Sequence, residues 1–501
     1  MARSITIALT VIALTLIAGA QVDIIAWNPT SSGFSNVQPY IDGVALPITW
    51  APTDTTSCTS GTACSLMFSF QSFATLINPY IGKTCGSSLP GRGSGHSCII
   101  DIDARPVSNA SPNSDTPSYV FSLYWQQWAS AANPQDAAFC AGYPGSTPAG
   151  NPSPPGPPNY GYANIGSNNC TSPTSCTPET LATGIPAIWE PPYVQAIDNW
   201  WAALILWASG HSSLTVPATT PAAPVSQIGY IRFGFSIGSE ATINCTAILE
   251  DALGGGSSSG DAAMKAQWLL YYSKAAIYIQ GQRTSQAGGA PNWFPMMTVN
   301  MGTSLTNPSL TTDPSWSIGE AQILLANQPF GIGTQGLENG FVSGSVVSDL
   351  QSMSSGPNCG LPGYGPCCSD NWCNVRQMVI GNVPVIELQD CNISNPAGGT
   401  KNCLDSAMAG TTTADQLTLS QVFTISSQHG TTSAEIYYND LLCAFDPGAA
   451  PLSGTTCANP LNLSTYPPAY ASAILALAAG QPSSTSALIG NAQIMGGATM
   501  F

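Results

Sequence analysis

The stretch Ile228-Gly-Tyr-Ile-Arg-Phe-Gly-Phe-Ser-Ile-Gly-Ser-Glu240 is an apolar run, rich in β-branched and aromatic residues, that gives way to small residues and ends on a carboxylate. Such a run reads as a strand. It lies between two stretches with helical spacing, Pro192 to Ser209 and Ala262 to Ile279, and the same alternation continues in both directions. Its strand portion, Ile228 to Ile237, is one of eight. The others are Val44 to Trp50, Cys98 to Ala104, Tyr119 to Leu123, Phe294 to Asn300, Phe330 to Thr334, Val383 to Leu388 and Ala434 to Tyr438. Helical spacing recurs at Ile318 to Ala326 and Ala414 to Ser427. Strands alternating with helices argue for a parallel sheet with helices outside, and eight such units close a (β/α)8 barrel. The expected fold class is therefore α/β, a TIM barrel with long, disulfide-tied loop insertions.

Composition narrows the function. The chain has 501 residues, with 10 Lys+Arg against 26 Asp+Glu, a net charge of −16, and only 7% charged residues, where ordinary domains carry roughly a quarter. So few cations leave no basic stripe for phosphates, which excludes nucleic acid and anionic membrane surfaces as partners. Met1-Ala-Arg-Ser4, the apolar stretch Ile5 to Ile17 and Ala18-Gly-Ala20 have the three parts of a secretory signal peptide, residues 1–20, and beyond it no apolar run is long enough to span a bilayer. The protein is expected to be secreted or extracellular, in contact with a cell surface at most. Sixteen cysteines then read as up to eight disulfides, with Cys58/Cys64 and Cys170/Cys176 as local staples. A surface built from Ser, Thr, Asn, Gln and Gly has few groups that titrate as pH falls, which suits an acidic habitat. The barrel domain is expected over 21–480, with a Pro- and Gly-rich insertion near 141–184 and a Ser/Ala/Gly-rich tail over 481–501.

The chemistry is sought at strand ends, because barrels carry their catalysts at the C-terminal face. Glu240 ends the strand quoted above, and Val383-Pro-Val-Ile-Glu387-Leu-Gln389-Asp390 puts a second carboxylate near the end of another. Two carboxylates over one pocket divide the work of glycoside cleavage, one as acid and one as nucleophile or base. With this spacing the sequence resembles the clan A type glycoside hydrolases, whose acid/base ends strand four and whose nucleophile ends strand seven. The first strand Gly43-Val-Ala-Leu-Pro-Ile-Thr-Trp50, the run Ile188-Trp-Glu-Pro-Pro-Tyr193 and the last strand Ala434-Glu-Ile-Tyr-Tyr-Asn-Asp440 add to the likeness. Ser239 stands where many members have Asn before the strand-four Glu. The resemblance implies that Glu240 is the general acid/base and Glu387 the nucleophile of a retaining hydrolysis of a β-linked poly- or oligosaccharide. It further implies that Arg105 orients the nucleophile. Asn300 and Gln335, at the ends of two further strands, suit sugar hydroxyls, and Trp50, Trp293, Trp372 and Tyr437 are candidate stacking platforms. Glu435, early in the last strand, is the rival to Glu387.

Two other readings compete. Gly234-Phe-Ser236-Ile-Gly238 has the form of a nucleophile elbow, and with Asp390 or Asp415 and His429 it would make a serine esterase, although no oxyanion segment accompanies it. The third is a catalytically silent, carbohydrate-binding surface or matrix protein that keeps the barrel. Three histidines without helical zinc spacing, and no phosphate-cradling glycine loop followed by lysine, give no reason to expect a metal or other cofactor.

Overall fold

The computed structural model describes residues 21–57, 65–108, 114–120, 191–211, 215–216, 220–234, 257–285, 291–299, 314–334, 375, 378–379, 381–389, 431–446 and 468–479. Eight strands follow one another around a closed, all-parallel barrel: β1 (Asp23–Trp27), β2 (Gly43–Thr49), β3 (Ile99–Arg105), β4 (Ile228–Phe233), β5 (Phe294–Thr298), β6 (Gly331–Thr334), β7 (Ile386–Gln389) and β8 (Ser433–Tyr437). The barrel closes where Ala26 of β1 stands opposite Ile436 of β8. The α/β barrel expected from the sequence is thus present. The expected signal peptide, the 141–184 insertion, the 481–501 tail and the helical stretch 414–427 lie outside the described residues, as do the Cys58/Cys64 and Cys170/Cys176 staples.

The membership of the eight differs from the expectation by one strand lost and one gained. The stretch expected from Tyr119 to Leu123 contributes no strand to the barrel: Ser118, Tyr119 and Val120 form a helical turn, for which Pro117 supplies a fitting start, and 121–123 lie outside the described residues. In its place Asp23-Ile-Ile-Ala-Trp27 is β1, a run buried on both faces and therefore without the alternation that marks a half-exposed strand. The two departures cancel in the count, so 228–233 remains the fourth strand and 386–389 the seventh. Ile99–Arg105 becomes the third strand instead of the second.

Packing divides the chain into two units. In the first, which comprises Met1–Ala45, Gly82–Ile99 and Thr334–Phe501, β7, β8 and β1 carry two unlike faces. Ile24, Ala26, Ala434 and Ile436 form a wholly apolar, fully buried face, and the helices α5 (Tyr438–Phe445) and α6 (Pro468–Ala478) pack on these strands. The other face carries Glu387, Ser433 and Glu435 together with Ile25 and Trp27. A helix-covered barrel needs its apolar face outward, so the polar face lines the interior. At the N-terminal end, Asp42 accepts hydrogen bonds from the Ile24 amide at 2.8 Å and from Arg92 Nε at 2.7 Å, and His96 Nε2 lies 2.8 Å from it. The Cys85–Cys98 disulfide holds the loop that supplies Arg92 and His96, across the short ribbon Thr84–Cys85 with His96–Ser97.

The second unit comprises Leu46–Ile81, which includes the helix α1 (Gln71–Ile77), and Ile100–Gly333. Its strand β3 alternates strictly, with Ile100, Ile102 and Ala104 on one face and Asp101, Asp103 and Arg105 on the other. Helix α2 (Pro191–Ala208) buries Tyr193, Ala196, Ile197, Trp200, Trp201, Leu204, Ile205 and Ala208, the i, i+3, i+4 stripe of an amphipathic helix. Trp201 meets Phe233 of β4 edge-on at 6.0 Å, which fixes Phe233 as outward-facing and its neighbour Arg232 as inward. Arg232 is ion-paired with Asp103, and both are buried. Helix α3 (Ser257–Ser285) runs beyond its expected bounds at both ends, packs against α2 and α4 (Pro314–Ala326), and lets Trp268 Nε1 donate to buried Glu320 at 2.7 Å. No helix among the described residues is long and apolar enough to cross a membrane.

Candidate active site

The inward face of the first unit carries two carboxylates, one on β7 and one on β8. Glu387 is the second residue of the four-residue strand β7 and stands in register with Ser433, the first residue of β8. Glu435 stands in register with Gln389, which ends β7. Glu435 is therefore two positions nearer the C-terminal rim than Glu387. Both carboxylates are fully buried. Burying a carboxylate is costly unless it is partnered, and proteins keep such groups where they fold a network or do chemistry.

Above Glu435 on the same face is Tyr437, the last residue of β8, paired in register with Trp27, the last residue of β1. Trp27 packs with Ile25 and Ala45, and Tyr437 lies half-buried against that cluster. The rim residue that follows Trp27 is Asn28, exposed and at φ 46°, the only non-glycine residue with positive φ among the described residues. Its backbone N–H donates to the Ala45 carbonyl at 2.8 Å, which ties the turn to β2.

The residues singled out from the sequence separate into three groups. Glu240, Asn300, Gln335, Trp372, Ser236 and His429 lie outside the described residues, and with them the geometry of the expected acid/base and of the elbow. Glu387 and Tyr437 share the inward face of the first unit, as described above. Trp50, Trp293 and Arg105 belong to the second unit. Trp50 opens the helical turn Trp50–Thr53 and is fully buried: it stacks on Trp200 at 5.6 Å, meets Tyr193 edge-on, and donates from Nε1 to Asp54 at 2.8 Å. Trp293 is fully buried with the Arg283 guanidinium 5.6 Å from its ring centre. Neither ring keeps a face open to a sugar. Arg105 ends β3 and is half-buried. Asp115 is pushed up chiefly by burial, and the Arg105 charge acts in the opposite direction.

Sequence reasoning passed over Trp27 and Asn28 because β1 itself went unread. Among the described residues there is no group of three or more His, Cys, Asp and Glu side chains that could hold a metal ion. In comparisons with known proteins, no family model matches this sequence and no curated protein is detectably similar to it.

Proposed function

We propose that this protein is a secreted glycoside hydrolase that cleaves a β-linked poly- or oligosaccharide by a two-carboxylate, retaining mechanism. What supports the reading most is the placement of buried Glu387 on the inward face of the seventh strand of a parallel barrel, on the face that carries Glu435 and the Tyr437–Trp27 pair at the rim. In the proposed reaction the Glu387 carboxylate attacks the anomeric carbon and the glycosidic C–O bond breaks. Glu240 gives its proton to the departing oxygen. Glu240 then takes a proton from water, whose oxygen displaces Glu387 and releases the sugar with its original anomeric configuration. Tyr437 offers the aromatic surface, since Trp50 and Trp293 are enclosed in packing.

One observation favours a second reading. Glu387 sits low in β7, with no exposed surface, as a structural barrel carboxylate would, and a silent carbohydrate-binding protein would keep it for that reason. Release of reducing sugar from a polysaccharide panel between about pH 4 and 6 separates the two. Cleavage supports the hydrolase, and binding without cleavage supports the silent protein.

A further inference from the structure

We propose that Asn28, at the C-terminal rim of β1, is a sugar-binding residue whose side-chain amide hydrogen-bonds vicinal hydroxyls of a neutral pyranose ring lying against Tyr437. The inference rests on the glycoside hydrolase reading and extends it to a subsite.

Three observations converge on this residue. The first is conformational: an Asn at φ 46° occupies the left-handed region, which costs energy for any side chain, and such outliers persist where the surrounding structure enforces them, often at ligand clamps. Here the Asn28 N–H is held by the Ala45 carbonyl. The second is position. Asn28 directly follows the last residue of a barrel strand, on the face where (β/α)8 proteins bind and transform their ligands. The third is chemistry. The side chain is exposed and makes no hydrogen bond to any described residue, and its neighbour Trp27 is paired in register with Tyr437. An amide presents a donor and an acceptor side by side, which matches adjacent sugar hydroxyls, and a half-buried aromatic ring matches the apolar face of a pyranose. A neutral sugar is specified because neither Asn28 nor Tyr437 carries charge for a carboxylate or phosphate.

The alternative is that Asn stands at 28 only because it tolerates positive φ. Asn28→Gly tests this, since glycine accepts φ 46° without strain yet removes the amide. On the polysaccharide that the wild type cleaves best, we expect Asn28→Gly to raise KM about tenfold, the effect of losing one well-made hydrogen bond, while its thermal midpoint stays at or above that of the wild type. Asn28→Asp, which keeps the acceptors and loses the donor, should fall between the two. If the wild type cleaves sugar and Asn28→Gly has an unchanged KM, the inference is overturned while the hydrolase reading stands. If the folded wild type neither binds nor cleaves any sugar of the panel, both fall together.

Discussion

Glu435 of β8 stands level with Gln389, the last residue of β7, and so lies closer to the barrel rim than Glu387 does. With strands about 4.8 Å apart and a rise of about 3.3 Å per residue, the two glutamates are diagonal neighbours with Cα atoms about 8 Å apart. Two acidic groups thus share one buried face at successive levels, the upper one directly below Tyr437. This ranks Glu435 with Glu387 as a group whose removal should be tested.

Gly33 should resist substitution. A Cβ placed there would stand 1.8 Å from the Tyr438 hydroxyl oxygen and 3.1 Å from its ring carbon. Gly33→Ala is expected to cost about 1–3 kcal/mol of stability by overpacking. Combining it with Tyr438→Phe, which removes the hydroxyl, should recover much of that cost. Denaturation of the two single variants and the double variant gives the coupling directly.

Asp42 should be the most sensitive position at the N-terminal end of the barrel. It is fully buried and receives the Ile24 amide, Arg92 through both Nε and Nη2, and His96. Burial alone would lower the Arg92 pKa, but the hydrogen bond and charge of Asp42, helped by Asp23, outweigh it and hold the guanidinium ionised. Asp42→Ala leaves that cation and an amide without their acceptor, a change that costs about 3–5 kcal/mol. Chemical denaturation of the variant reads the loss, and a midpoint equal to that of the wild type would contradict the assignment.

The protein should be more stable in mild acid than at alkaline pH. Burial pushes Asp198 up to about 7. Burial, then the neighbouring Asp42 charge, push Asp23 up to about 6 against the opposing charges of Arg92 and His96. An unfolded aspartate titrates near 3.9, so both groups hold their protons more tightly in the folded state. Their contribution is fully present below about pH 4 and is lost as pH rises through about 6 to 7. Asp198→Asn should therefore raise the thermal midpoint at pH 8 and change it little at pH 4, and an equal shift at both would refute the titration.

The Cys85–Cys98 disulfide closes a loop with a sequence separation of 13. Replacing both cysteines with alanine should cost about 3 kcal/mol on chain-entropy grounds. Because the loop carries Arg92 and His96 to Asp42, the loss should be less than additive with Asp42→Ala. Denaturation of the combined variant measures that coupling.

Local sequence carried most of the architecture. The alternation in Ile99-Ile-Asp-Ile-Asp-Ala-Arg105 reflects one apolar and one polar face, both buried, and the helical stripe from Tyr193 to Ala208 reflects one-sided burial; each leaves a period in the sequence. β1 leaves none, because Ile24 to Trp27 are apolar on both faces. Trp50, at a strand end, has the sequence context of a rim aromatic, but it stacks on Trp200, a residue 150 positions away, and such long-range packing leaves no local signal. The height of Glu435 is hidden for a related reason: it depends on how β8 is registered against the short strand β7, and register is a property of the pair. The Cys85–Cys98 pairing was likewise hidden among the many pairings that sixteen cysteines allow.

The most direct test compares reducing-sugar release, between about pH 4 and 6, by the wild type, Glu240→Gln, Glu387→Gln and Glu435→Gln, with folding checked by circular dichroism. The wild type is expected to cleave at least one β-linked polysaccharide, and Glu240→Gln and Glu387→Gln, still folded, to lose at least a thousandfold in kcat, on the order expected for removing a catalytic carboxylate. A folded Glu387→Gln that cleaves as fast as the wild type would contradict it.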